Sequence, residues 1–176
     1  MKFKLRPYQE EASKKAVEFF LDKKKNWNAL EVLPTASGKS LILADIAARL
    51  KDKVLVFSPT KEILEQNYKK YCSYGFDNAS IYSASFKSKE ISDVTFATIG
   101  SVKGHPELFT DFKYILIDEV HLVKPESGMY KEFLDKLKSK VIGLTATPFR
   151  LYSYQNYGSI LKFLTRSRDK IFKELI

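Results

Sequence analysis

The sequence predicts a three-layer α/β fold, a mostly parallel central sheet with helices on both faces. Three observations lead there. The runs Val54–Phe57, Tyr114–Ile117 and Val141–Leu144 are apolar at every position, as strands buried on both faces must be. Amphipathic stretches of helical period separate such runs. Hydroxyl and acidic residues stand just after the strands: Ser37–Ser40, Ser58–Thr60, Thr98, Asp118–Glu119 and Thr145–Thr147. In a parallel sheet those positions share one edge, where open α/β folds bind ligands.

In order, Leu5-Arg6-Pro7-Tyr8-Gln9 opens a helix whose apolar residues Ala12, Ala16, Val17, Phe19, Phe20 and Leu21 fall on one side. The lysine run 23–25 reads as a solvated loop that ends it. A strand follows over 28–33, then a helix over 41–50. After the strand Val54–Phe57, Pro59 breaks the sheet and Thr60 caps a helix from Lys61 to Tyr74, stopped by Gly75. Ser80–Tyr82 is a short strand, 83–92 a polar connection and Val94–Ile99 a strand rich in β-branched and aromatic residues. A loop with Gly104 and Pro106, the strand 114–117, a helix over 129–138 and the strand 141–144 complete the pattern. Residues 151–158 carry three tyrosines without a core pattern, and a short helix is expected over 160–164.

Composition sets the boundaries. An apolar fraction of 44% with 29% charged residues is that of a soluble globular chain, and 176 residues suffice for one domain with a substantial core. No apolar run approaches a membrane span, and the single Cys72 excludes an internal disulfide. A cytoplasmic monomer is expected. Thirty Lys and Arg against 21 acidic residues, a net charge of +9, favour an anionic partner, nucleic acid first.

The chemistry centres on Leu33-Pro34-Thr35-Ala36-Ser37-Gly38-Lys39-Ser40. Strand, tight loop, Gly-Lys-Ser and helix form the context of a phosphate-binding loop, although Leu33 stands where the general pattern has its first glycine. Loop amides and the helix N-terminus converge on an anion. Lys39 then reaches the β- and γ-phosphates of a nucleotide, and Ser40 offers its hydroxyl to Mg2+. Asp118-Glu119, at the tip of a buried strand, supplies the other half. Asp118 holds the same metal, and Glu119 accepts a proton from the attacking water.

These segments, with Asp118-Glu119-Val120-His121 and Thr145-Ala146-Thr147-Pro148, resemble the first RecA-like motor domain of superfamily 2 helicases and translocases. The last segments, Gly143–Arg150 and Phe163–Arg168, are similar to RadD-type bacterial DNA-repair helicases and their phage relatives. In this family the first loop glycine is commonly absent, as at Leu33, whereas Ala36 replaces a commoner glycine. The resemblance implies ATP and Mg2+ as cofactors and DNA as partner, with RNA not excluded. It places the nucleotide on Arg6, Gln9, Thr35, Ala36, Ser37, Gly38, Lys39 and Ser40, with Arg6 stacking on adenine and Gln9 on its edge. It makes Lys39, Asp118 and Glu119 catalytic and Ser40 and Asp118 the metal ligands. His121 couples the ATP site to Thr145 and Thr147, while Pro59, Thr60 and Thr98 touch the nucleic-acid backbone.

The expected organisation is an ATP-binding motor domain over 1–150 and an extension over 151–176 leading to a second RecA-like domain. That domain supplies arginine fingers in the family; Arg150, Arg166 and Arg168 are not well placed to do so, and the chain alone should be nearly inactive. The expected role is movement on DNA in repair or recombination. The motor of a restriction endonuclease subunit is the alternative, then a small P-loop kinase or GTPase and a non-catalytic nucleic-acid-binding module.

Overall fold

The computed structural model describes residues 4–122, 128–154, 158–163 and 171–176, with side chains for all of them except 150–154 and 158–163. Arg166 and Arg168, and the side chain of Arg150, lie outside the described residues.

Helix α1 (Pro7–Leu21) begins on a proline, whose missing N–H costs nothing in the first turn, and buries Gln9, Ser13, Ala16, Phe19 and Phe20 along one stripe. Strand β1 (Ala29–Val32) leads through the glycine-containing loop into α2 (Lys39–Arg49). Strand β2 (Val54–Phe57) leads through Ser58-Pro59 into α3 (Lys61–Ser73), and Gly75 ends that helix at φ 91°. Then come β3 (Ala79–Ser83), a two-residue β4 (Ser88–Lys89), β5 (Val94–Ala97), the single-turn α4 (Ile99–Val102), β6 (Tyr114–Ile117), α5 (Met129–Asp135) and β7 (Lys140–Thr145). The polar connection over 83–92 thus contains a strand, antiparallel to β3.

The sheet order is β10-β1-β7-β6-β2-β5-β3-β4, where β10 is Glu174–Leu175. Every pairing is parallel except β3 with β4. Successive strand residues point to opposite faces, and the two cores show it. Val54, Val56, Leu116, Ile142 and Leu144 pack under α1, α2 and α3. Leu55, Phe57, Ile115, Ile117 and Val141 pack with Phe109, Phe112, Tyr130 and Phe133 on the other side. Both faces are covered, so the strands carry no polar alternation.

The C-terminal region differs from expectation in two ways. Of the helix expected over 160–164, Leu164 lies outside the described residues. In place of a helix over 160–163, β8 (Phe149–Tyr154) and β9 (Gly158–Phe163) form an antiparallel two-stranded sheet, pairing Phe149 with Phe163 and Tyr152 with Ile160. A five-residue apolar-basic pattern fits either period, and the aromatic-rich partner segment decides for the strand. Residues 171–176, assigned by sequence to an extension beyond the domain, return to the sheet. β10 extends it beyond β1, with Ile176 N–H donating to Leu30 O at 2.8 Å and Lys173 N–H to Asn28 O at 2.9 Å. Buried Phe172 lies over Gly143, where a Cβ would come within 2.9 Å of its ring. Lys25 is therefore not a solvated loop residue: it pairs with Glu174 at 2.6 Å, which also accepts from Trp27 Nε1 at 2.6 Å.

Candidate active site

The loop after β1 is held from both ends. Leu33 N–H donates to Thr145 O at 2.9 Å, which ties its root to β7, and Ser37 N–H closes a turn onto Pro34 O at 3.1 Å. Ala36 and Gly38 both adopt left-handed backbone, at φ 61° and 79°, a conformation that costs an alanine more than a glycine. Gly38 is also crowded: a Cβ there would sit 2.5 Å from Gln9 Nε2. That contact exists because Gln9 Nε2 donates to Ser37 O at 2.8 Å, joined there by Tyr8 Oη at 3.1 Å. Gln9 Oε1 accepts from Arg6 N–H at 2.9 Å. Gln9 is buried and braces the loop, whereas the Arg6 side chain and Thr35 are exposed. Ser37 Oγ is buried without a hydrogen-bond partner among the described residues, an unmet donor and acceptor inside a loop shaped for an anion.

The acidic pair approaches from β6. Asp118 N–H continues the ladder to Phe57 O at 2.8 Å, so its carboxyl emerges at the sheet edge. The side chain is only 4% exposed; Oδ2 accepts from Asn67 Nδ2 at 2.7 Å and Oδ1 from Glu119 N–H at 2.9 Å. Burial raises the Asp118 carboxyl above its ordinary range; the Asn67 bond opposes this and the nearby Glu119 charge adds to it. Glu119 adopts φ 47°, and this left-handed turn carries its carboxylate back over the phosphate loop. Its Oε1 lies 3.1 Å from Lys39 Nζ, both side chains being mostly buried.

Glu119 Oε2 lies 3.3 Å from His121 Nδ1, which lies 2.9 Å from Thr145 Oγ1. Thr145 donates to Thr147 O at 3.0 Å and accepts from Thr147 N–H at 2.9 Å. Thr145 Oγ1 joins the His121 ring to the backbone of Thr147. Lys39, Glu119, His121, Thr145 and Thr147 thus form one continuous chain of polar contacts from the phosphate loop to the end of β7.

The sequence profile of the family described as Type III restriction enzyme, res subunit, matches residues 2–150. The chain belongs to this family. Among curated proteins it is 31% identical over 152 residues to the DNA 3'-5' translocase XPB2 of Sulfurisphaera tokodaii, covering 85% of this chain and 32% of the relative. It spans about a third of that protein's length. Among solved structures, the UvsW helicase from bacteriophage T4 superposes with a TM-score of 0.69 at 21% identity, over 99% of this chain and 60% of that one. The Sulfolobus solfataricus SWI2/SNF2 ATPase core in complex with dsDNA gives 0.62 at 21%, over 84% and 33%. The fold is the RecA-like α/β fold that these helicase and ATPase structures share.

In this res-subunit domain, Pro59, Thr60 and Thr98 occupy the ends of β2 and β5, on the same sheet edge but outside the phosphate-loop cluster. Thr60 Oγ1 accepts from Ile63 N–H at 3.3 Å as the cap of α3, and Thr98 Oγ1 shares a proton with Ser101 Oγ at 2.9 Å. No motif assigns a role to Tyr8, Gln66 or Asn67, yet all three touch the cluster. Gln66 Nε2 is 3.4 Å from Ser40 Oγ. Asn67 left one legible signal: a polar side chain on the stripe Leu64, Asn67, Tyr71 that α3 buries.

No group of three or more His, Cys, Asp or Glu gathers as a metal cage among the described residues. The donors present, the Ser40 hydroxyl and the Asp118 carboxylate, suit an ion completed by nucleotide phosphates and water, which is how Mg2+ is usually held. Among the described residues no helix is long and apolar enough to cross a membrane.

Proposed function

We propose that this chain is the ATP-binding motor domain of a DNA helicase or translocase that couples ATP hydrolysis to movement along nucleic acid. The observation that carries this reading is the 3.1 Å contact between Lys39 and Glu119. It brings the phosphate-loop lysine against the acid of a strand two places away in the sheet. A nucleotide on the loop takes Lys39 from Glu119: its phosphates accept from the ammonium and from the Gly38 and Lys39 N–H groups, the Ser37 N–H being held by Pro34 O, and Glu119 is released to orient water. Mg2+ bound at Ser40 and Asp118 would neutralise phosphate charge. Gln9 and Arg6 meet the adenine, and the brace from Gln9 to Ser37 joins base recognition to loop shape. The chain of contacts from Glu119 through His121 ends at Thr147, on the sheet edge that also carries Pro59, Thr60 and Thr98, the residues that would meet the DNA backbone.

XPB2, a DNA translocase, and the SWI2/SNF2 core bound to dsDNA support DNA as the partner, while the similar QP509L of African swine fever virus is described as an RNA helicase. The family description favours one second reading, the motor of a restriction subunit. The two differ in whether the parent protein carries a nuclease.

Titration with a fluorescent ATP analogue and steady-state phosphate release test the reading. Lys39→Ala is expected to lose nucleotide affinity, because charge-assisted hydrogen bonds are worth about 1.5–3 kcal/mol each. Glu119→Gln is expected to bind nucleotide at least as well as wild type, its lysine no longer held by a charge, and, in a protein that joins this domain to a second RecA-like domain, to lose phosphate release. Unchanged affinity in Lys39→Ala would overturn the assignment.

A further inference from the structure

We infer that Asn67 and Gln66, consecutive residues of α3, are positioning residues for the two side chains that would hold magnesium. The inference rests on the motor reading above.

Asn67 is fully buried. Its Nδ2 gives one N–H to Ser58 Oγ at 3.1 Å and the other to Asp118 Oδ2 at 2.7 Å. Its Oδ1 is buried with no hydrogen bond among the described residues. Turning the amide over would set Oδ1 against the Asp118 oxygen, acceptor facing acceptor, so the orphaned carbonyl follows from keeping both N–H groups on Ser58 and Asp118. A buried amide with an unmet acceptor works against the fold, so stability alone does not account for an asparagine here. What it does achieve is to hold one carboxylate oxygen from behind while the backbone N–H of Glu119 holds the other at 2.9 Å. Each oxygen keeps a second lone pair for the metal or its water.

One residue earlier, Gln66 Nε2 reaches Ser40 Oγ at 3.4 Å. That bond uses one hydroxyl lone pair and leaves the other for the ion. Ser40 stands at the start of α2 and Asp118 at the end of β6, so one turn of α3 fixes two donors from different elements.

The test compares the affinity of a fluorescent ATP analogue with Mg2+ and with EDTA, for the wild-type chain, Asn67→Leu, Gln66→Ala and Lys39→Ala. The ratio of the two affinities is the readout, because a general loss of packing lowers both. Wild type is expected to bind more tightly with Mg2+. Asn67→Leu is expected to keep its EDTA affinity and lose about tenfold or more of the magnesium gain, the usual cost of removing a partner of a metal ligand. Gln66→Ala, exposed and unable to unfold the chain, is expected to lose a smaller part of the same gain. Should Asn67→Leu not fold, Gln66→Ala decides alone. A full magnesium gain in the variants overturns the inference and leaves the motor reading standing. A wild-type chain that binds no nucleotide, or binds it as Lys39→Ala does, overturns both.

Discussion

Glu31 stands in β1 where an apolar side chain is expected, 2% exposed, with Oε2 lacking any hydrogen bond among the described residues. Burial pushes its carboxyl up to about 8, opposed only by the charge of Lys15. The unfolded chain ionises this group near its ordinary 4.5, so between the two values the folded state holds the extra proton. Stability is therefore full below about 4.5 and falls as pH rises through about 8. Glu31→Gln is expected to remove that slope and to stabilise the chain at pH 8 by on the order of a few kcal/mol. Urea midpoints of both proteins across this range check it, and parallel curves would refute it. At Gly38 the direction reverses: Gly38→Ala meets both the positive φ and the Gln9 contact, and nucleotide affinity should drop at least about tenfold, by roughly 1.4 kcal/mol, in an equilibrium titration. Lys39, Ser40 and Glu119 were legible because a phosphate loop and a strand-end acid are local patterns. The contact that gives Asn67 its place was not, because its partner Asp118 lies 51 positions away and only the fold brings them together.

The elements divide in the same way. Strands β2 and β6 were legible to the residue, since four-residue runs buried on both faces need no partner to be recognised. β10 was not, because two residues carry no period, and its place depends on distant anchors: Asn28 Nδ2 on Ile171 O at 3.1 Å and Trp27 on Glu174. Phe172 seated on Gly143 is the tightest of these. A Cβ at position 143 would meet Phe172 at 2.9 Å and both Leu30 and Val120 at 3.0 Å, so Gly143→Ala is expected to cost about 1–3 kcal/mol of overpacking. Phe172→Ala should cost about 3–5 kcal/mol by leaving a cavity. Combined, the two should cost less than their sum, because the smaller residue 172 vacates the space the new methyl needs. Denaturation of the two single variants and the double variant measures this, and strict additivity would show that Phe172 does not press on β7.

Over the whole molecule, the net charge of +9 matters through where it is left unpaired. Near the amino ends of the strands, Lys53 pairs with Asp111, and Lys113 pairs with Asp52 at 2.5 Å. Near their carboxyl ends, beside Thr60 and Thr98, Lys61, Lys87 and Lys103 are exposed and make no ion pair among the described residues; Lys61 Nζ lies 5.0 Å from the centre of the Phe86 ring. If DNA lies along that edge, affinity follows the position of charge and not its sum. Lys61→Glu with Lys87→Glu removes four units of charge at the carboxyl edge, and Lys23→Glu with Lys24→Glu removes the same four from the exposed loop after α1. Wild type should lose about a hundredfold in duplex affinity between 50 and 200 mM salt if roughly four phosphates are neutralised, each contributing about −0.9 to the logarithmic slope. The carboxyl-edge pair should flatten that slope by about two such contributions, while the loop pair should leave it near wild type. Fluorescence anisotropy of a labelled duplex at several salt concentrations distinguishes the cases. Equal losses in the two variants would mean that the chain attracts DNA as a diffuse cation, without a path across its strand ends.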